Sequence, residues 1–474
     1  MKRLRHTDRM SALPDETLQR ILSHLPSVGA VQTSVLSRRW HDVYAGLPVV
    51  DLLDPKSDRD DYHKKKVCFD QQVTGAILCK APGTLICVFR LDAFCPPCDL
   101  LDQWIIIAVS SGVEEMDVKL RYWESSSRHL CPAKKKASAD FDSHDRKRYI
   151  KTQHHLFGCP TLRNLRLTRW TLDLPPVVVM SSLDTLCLTR IMDPKDHLQQ
   201  LLSNCPLLAD LTLQEFAMIY CQHATRVKLS SSCLRSLHYQ GGLPSHKSLF
   251  KLANHAGVVA LKVEICEDLS EKEPKEFAPA TKLIKRCTKL AYLNLSFRPS
   301  MTYCSSLFIH EVPCLQHLRE LGLHCCLRND QDVRSVAVLL GDTQNLEVLS
   351  LLGPETPNYV VSSYLSDSET ESESDIELED GGDDGVDDSS QVTDNFWPMN
   401  IRCLDDKLRR INIRNYGGLQ PEKILSKFLL SKAAALEEFS VSSTSRCSQN
   451  KRNIAKELRS WRSNRNARVT VHRW

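Results

Sequence analysis

Leu162-Arg163-Asn164-Leu165-Arg166-Leu167 and Leu183-Asp184-Thr185-Leu186-Cys187-Leu188 share one phrase, L-x-x-L-x-L. It returns at Leu208–Leu213, Leu290–Leu295, Leu318–Leu323 and Leu346–Leu351. Weaker copies sit at Leu234–Tyr239, Val258–Val263, Leu408–Ile413 and Leu436–Val441. Taking the second leucine-type position as a marker gives 165, 186, 211, 237, 261, 293, 321 and 349, spaced by 21 to 32 residues. This is an irregular form of a repeat period of about 20–29 residues. The alternating leucines predict a short strand with one apolar face, followed by a helix or irregular arm that returns the chain. No single copy buries its own leucines, so the copies must stack, and the expected fold class is α/β, a curved solenoid. One such phrase would mean little in a leucine-rich chain. Ten in rough register are hard to reach by chance.

Cysteine follows the same beat. Cys159-Pro160, Cys205-Pro206 and Cys287-Thr288 each precede a leucine phrase by a similar step. A small buried side chain where each arm turns into its strand explains that recurrence, and metal ligation or nucleophilic chemistry does not. Nineteen cysteines in 474 residues is an odd number in a long chain whose first residues contain no secretory signal. Reduced thiols and a cytoplasmic or nuclear protein are therefore expected. The apolar runs are too short to span a bilayer, so no membrane association is expected.

In front of the repeats, Leu18, Ile21, Leu22 and Leu25 fall at i, i+3, i+4 and i+7, one stripe of a short helix. Pro14 suits its first turn, Asp15 and Glu16 its positive end, and Pro26 its termination. Ser27 is expected to cap a second helix and Ser37 a third that runs through Trp40 and Tyr44 to Gly46. So small a unit cannot hide all its apolar side chains, which implies a partner surface. The plainer reading is a cap whose helices pack inward on the following domain.

Leu13-Pro14-Asp15-Glu16, Ile21-Leu22-x-x-Leu25-Pro26 and Ser34-Val35-Leu36-Ser37-Arg38-Arg39-Trp40 resemble the F-box of plant F-box proteins. The resemblance implies docking on a Skp-type adaptor and, through it, on a cullin–RING ubiquitin ligase. It implies an adaptor-facing set of Leu13, Pro14, Ile21, Leu22, Leu25, Val31, Val35, Leu36 and Trp40. Arg38 and Arg39 are read as solvated. The stretch from Leu101-Asp102-Gln103-Trp104 to Gly112–Val118 looks like the start of the array in plant F-box/leucine-rich-repeat proteins, and Leu408–Val441 resembles their FBD-type C-terminal region. The implied organisation is an F-box over 8–52, a linker leading into the array over 53–100, a leucine-rich-repeat solenoid over 101–361, an acidic disordered insertion over 362–396, last repeats of FBD type over 397–445, and a basic segment over 446–474.

Charge is unevenly spread. Asp367 to Asp394 holds eight Asp and five Glu with no Lys or Arg; removing those thirteen acids turns a net +4 into 62 − 45 = +17 for the remainder. The acidic segment buries too little to offset its ordering entropy, which predicts disorder. Within it Ser366, Ser368, Thr370, Ser372 and Ser374 each precede an acidic residue by three positions, which suits acid-directed kinases. A solvated acidic loop is the simpler reading. The basic C-terminal segment, with Trp461 and Trp474 among its arginines, is read as a solvated helix in preference to a nucleic-acid contact, because no reading module accompanies it.

Cys95-Pro96-Pro97-Cys98 lacks the second pair that zinc needs, and a redox role would want a strand–helix–strand setting that the leucine phrases do not provide. No phosphate loop, nucleophile elbow or dinucleotide fingerprint occurs. No catalytic residue, metal or cofactor is expected. The functional expectation is a substrate-recognition subunit of an SCF-type ubiquitin ligase that holds an unknown target protein on outward strand positions such as Arg163, Asn164 and Arg166. The alternatives are a protein-binding scaffold without ubiquitin transfer and a basic nucleic-acid-associated protein.

Overall fold

All ten leucine phrases fold as strands, each beginning at the third residue of its phrase. The computed structural model of the chain describes residues 10, 12–54, 62–122, 149–193, 197–214, 217–218, 227–229, 232–241, 250–252, 254, 257–265, 283–297, 315–324, 327, 330–353, 401–443 and 451–473. The chain divides into two units, Met1–Pro299 and Ser300–Trp474.

The first unit opens with three short helices, α1 (Asp15–Leu22), α2 (Ser27–Thr33) and α3 (Arg38–Ala45). Strand β1 (Val49–Leu53), helix α4 (Tyr62–Leu78), β2 (Val88–Phe94), helix α5 (Cys98–Ser110) and β3 (Glu115–Arg121) follow. Then come β4 (Asn164–Thr168), β5 (Thr185–Thr189), β6 (Met192–Asp193), β7 (Asp210–Gln214), β8 (Ala217–Met218), β9 (Val227–Leu229), β10 (Ser236–Gly241), β11 (Phe250–Leu252), β12 (Ala260–Ile265) and β13 (Tyr292–Phe297). Nine of these form one parallel ladder in the order β1-β2-β3-β4-β5-β7-β10-β12-β13, while β6 pairs with β8 and β9 with β11.

Register follows the leucine markers. Leu165, Leu186, Leu211, Leu237, Leu261 and Leu293 are successive Cα partners, and all are buried. The same row extends backwards through Met116 and Phe89 to Val50. The ladder thus begins well before the expected array. The segment read as a linker over 53–100 holds α4, β2 and the first turn of α5, with the Trp104 indole donating to Thr74 Oγ1 at 3.1 Å between the two helices.

Each step of the ladder uses one carbonyl twice. Glu114 O, just before β3, accepts the amides of Arg163 and Asn164 at the start of β4; Arg163 O in turn accepts Asp184 and Thr185, and Asp184 O accepts Ala209 and Asp210. These backbone bonds fix the register without consulting side chains, so the arms between strands are free to vary in length. The anticipated small buried positions are filled by Cys159, Cys205 and Cys287, all buried. Burial pushes the Cys205 and Cys287 thiols up to about 12, which suits packing and not nucleophilic chemistry.

The second unit repeats the plan with β14 (Glu320–His324), β15 (Val348–Leu352), β16 (Arg410–Tyr416), β17 (Glu438–Ser443) and β18 (Arg468–Arg473) in parallel order. Leu349 pairs directly with Ile411, so the acidic segment falls between two adjacent strands. The acidic segment itself, with Ser366, Ser368, Thr370, Ser372 and Ser374, lies outside the described residues. The basic C-terminal stretch is corrected. It does contain a helix, Lys451–Trp461, but Ile454 and Leu458 bury that helix, and the stretch continues into β18, whose Val469 and Val471 pair with Phe439 and Val441. It is a closing repeat with a basic outer surface.

Candidate protein-docking surface

Pro14, in extended conformation, sets the start of α1, and the helix ends at Leu22. Helix α2 starts immediately after Pro26. Ser37 caps α3 as anticipated, its Oγ accepting the Trp40 amide at 3.3 Å. Ser27 does something else. It is buried, and its Oγ accepts the amide of Asp51 in β1 at 2.7 Å.

The three helices enclose a core of Leu18, Leu22, Ala30, Val43, Tyr44 and Leu47 that continues into Val49 of β1. Leu13, Trp40 and Val88 pack at its margin. Leu22, placed on the partner-facing set by its sequence position, is 2 % exposed; it supports the surface from beneath instead of forming it. Leu13 and Trp40 are half-buried for the same reason. Pro14 is exposed.

What remains outside is apolar. Ile21, Leu25, Val28 and Val31 are each about 40 % exposed, Leu36 is 66 % exposed and Val35 84 %. Val28 was not singled out from sequence, although it stands three residues from both Leu25 and Val31. Arg39 is not simply solvated. Its Nε donates to Asp15 Oδ1 at 2.8 Å and its Nη2 to the Leu13 carbonyl, tying α3 to the start of α1.

This helical unit also caps the ladder. β1 is the edge strand, and because Pro48 O and Asp54 N bond towards β2, the period-two alternation aims the groups of residues 49 and 51 away from it. Ser27 Oγ meets the Asp51 amide there, and the Lys80 ammonium donates to Val49 O at 3.2 Å while lying 4.9 Å from the Tyr44 ring centre. Burial lowers the Lys80 amine to about 8. An open strand edge is an association hazard, and here it is closed. The unit therefore packs inward on the ladder, as a cap would, while part of its apolar surface stays exposed.

Of the positions expected to meet a target, Asn164 and Arg166 alternate with buried Leu165 and Leu167 and so share the outward side of β4. Arg163 precedes the strand, exposed, 4.0 Å from the Glu114 carboxylate. Arg166 stands in register between Asp117 and Cys187. Burial raises the Asp117 carboxyl, and the Arg166 guanidinium opposes that rise. Towards β1 the same side is charged: Arg90 lies 3.0 Å from Glu115 and 3.4 Å from Asp51, and Asp92 pairs with Lys119 and Arg121. Further along, buried Glu264 meets Lys262 Nζ at 2.5 Å and His238 Nε2 at 3.6 Å. Burial alone would raise the Glu264 carboxyl; the adjoining Lys262 ammonium and His238 imidazole outweigh it and hold the group at about 2.

Among the described residues no three His, Cys, Asp or Glu side chains gather as a metal site, and no helix is long and apolar enough to cross a membrane. Fold and surface together define a leucine-rich-repeat protein with a three-helix unit, bearing exposed apolar side chains, at one end of its ladder. Residues 10–43 match the F-box domain, and residues 101–250 match the repeats described as those of FBD-associated F-box protein At5g56370. FBD-associated F-box protein At5g60610 of Arabidopsis thaliana is 24% identical over 453 residues, covering 92% of this chain and all of the relative. FBD-associated F-box protein At4g10400 is 30% identical over 44% of this chain and 45% of its own length, and putative F-box/FBD/LRR-repeat protein At4g00315 is 31% identical over 44% and 43%, both from the same plant. The chain spans less than half the length of those two relatives. By these matches the chain carries an F-box domain and leucine-rich repeats similar to those of FBD-associated F-box proteins.

Proposed function

We propose that this chain is a substrate-recognition subunit of an SCF-type ubiquitin ligase. The exposed side of the F-box docks on a Skp-type adaptor, and the outward side of the repeats holds a target protein. The observation that carries the reading is the apolar surface of Ile21, Leu25, Val28, Val31, Val35 and Leu36, kept exposed on a unit that has its own core. Contiguous apolar surface of this kind marks a protein contact, and helix side chains offered to a groove are a common form of one. The adaptor-facing set is then these six residues with Pro14, bordered by Leu13 and Trp40.

The mechanism is proximity. The docked chain supplies no catalytic group; it holds the target near the conjugating enzyme and converts a bimolecular encounter into a local one. The repeats stack as a curved solenoid whose outward strand positions, Arg163, Asn164 and Arg166 among them, contact the target in the cytoplasm or nucleus. Phosphorylation at Ser366, Ser368, Thr370, Ser372 or Ser374 would add about −1.5 to −2 charge per site and change contacts with basic surface.

The test is retention of a Skp-type adaptor by the full chain and by an Ile21→Asp, Val35→Asp, Leu36→Asp variant of unchanged helical content. Retention by the wild type alone supports the reading, and equal retention removes it. A scaffold without ubiquitin transfer would keep the adaptor yet leave target levels unchanged when the proteasome is blocked.

A further inference from the structure

The pair Cys95 and Cys98 does sit in a strand–helix–strand setting. β2 ends at Phe94, Cys95-Pro96-Pro97 make the turn, α5 begins at Cys98, and β3 returns parallel to β2. A C-x-x-C at such a junction is where dithiol chemistry is usually housed, because the turn holds two sulfurs close while the helix and strand fix its ends.

Three features shape this turn. Cys95 has φ +41, a left-handed conformation that a side chain other than glycine adopts only when its surroundings demand it. Its amide is pinned to Arg121 O at 2.8 Å. Pro96 and Pro97 restrict the two residues between the sulfurs, with Pro97 extended at φ −61 and ψ 131. The sulfurs also share a neighbour. Burial raises the Tyr122 phenol, and the thiols of Cys95 and Cys98 both add to that rise, which puts both within electrostatic reach of one hydroxyl. Cys98 is exposed and Cys95 half-buried, and no disulfide joins them here.

We propose that Cys95 and Cys98 form a reversible disulfide, made by exchange with a small-molecule disulfide and undone by a dithiol. The exposed Cys98 thiolate attacks one sulfur of the small disulfide, forming a mixed disulfide and expelling one small thiolate. The Cys95 thiolate then attacks the Cys98 sulfur and expels the second. Two electrons pass from the pair to the small disulfide, and the two thiol protons pass to the departing thiolates. The second step is intramolecular across two intervening prolines, whose restricted φ limits how far the two cysteines can separate. Transient disulfides of this type are the ones found in reducing compartments.

Trypsin should release Leu91–Lys119 as one peptide whose only cysteines are Cys95 and Cys98. The folded full-length chain is equilibrated with glutathione disulfide, trapped with an alkylating agent, digested and weighed. The expected peptide is two hydrogens lighter and carries no alkyl group, and dithiothreitol restores the doubly alkylated form. The folded chain should reach half-oxidation at a lower ratio of disulfide to thiol than the urea-unfolded chain. In Cys95→Ser, which tests the order of attack, glutathione should remain on Cys98. A doubly alkylated peptide after oxidation overturns the proposal. So does glutathione on both wild-type sulfurs as the end state, an equal or higher ratio for the folded chain, or a Cys98 free of glutathione in Cys95→Ser.

Discussion

Replacing Val35 and Leu36 together by alanine separates docking from folding. Leu36→Ala removes three carbons and Val35→Ala two, each carbon contributing about 0.8 kcal/mol when fully buried. Leu36 is 66 % exposed and Val35 84 %, so only that fraction of each side chain remains for a partner to cover. Scaled in this way, the double substitution removes about 3 kcal/mol of adaptor contact, or roughly a hundredfold in Kd if the two effects add. By the same scaling the buried third of Leu36 and sixth of Val35 contribute about 1 kcal/mol to the folded chain, so its own stability should fall by no more than about that. Calorimetric titration with a Skp-type adaptor reads the first quantity and urea unfolding the second. An unchanged Kd, or a loss of binding that merely tracks a lowered unfolding midpoint, would refute the assignment of this surface.

The opposite pattern is expected from Leu22→Ala, whose buried side chain should cost about 2–5 kcal/mol in urea unfolding while the fraction still folded binds adaptor normally. Ser27→Ala takes the acceptor from the partly buried Asp51 amide and should lower stability by about 0.5–1.5 kcal/mol, read as a reduced urea midpoint. Glu264 is held at about 2 against an ordinary value of 4.5, so its contribution is complete above about pH 4.5 and is lost as pH falls towards about 2; Glu264→Gln should flatten that part of the stability–pH curve. Cys205, Cys287 and Cys403, raised to about 12 by burial, should resist alkylation at pH 8 in the native chain and react in urea, whereas exposed Cys68 and Cys98 react in both.

The repeats were readable because each leucine phrase carries its own strand, and the marker leucines are the residues that pair across the ladder. The first two strands carry no leucine phrase because Val50 and Phe89 occupy the marker row, and the third, where Met116 does so, is signalled only by its resemblance to the start of such arrays. The last escaped notice because arginines crowd its neighbourhood, and the alternation of Val469 with Val471 was outweighed by their charge. On α1 the stripe of four apolar residues was read as one surface. Leu18 and Leu22 form one i,i+4 row that the core takes, whereas Ile21 is rotated off that row and Leu25 lies in the turn after the helix, and both stay outside. A stripe states that a helix has an apolar side and is silent on where the core ends. Ser27 and Lys80 were invisible as edge caps because their partners are backbone groups, which leave no sequence pattern.

The direct pairing of β15 with β16 has a practical consequence. Gly353 donates to Arg414 O at 2.9 Å, and the Asn415 side chain returns a bond to Gly353 O at 3.1 Å, so the ladder is clasped where the chain departs. A Cβ at Gly353 would stand 3.0 Å from Asn415 O and 3.2 Å from Arg414 O, so a larger residue there would have to push this backbone back by a few tenths of an ångström. Because the pairing of β15 with β16 is set by residues on either side of 354–400, an affinity handle or fluorescent reporter spliced within that stretch should leave the two strands joined as they are.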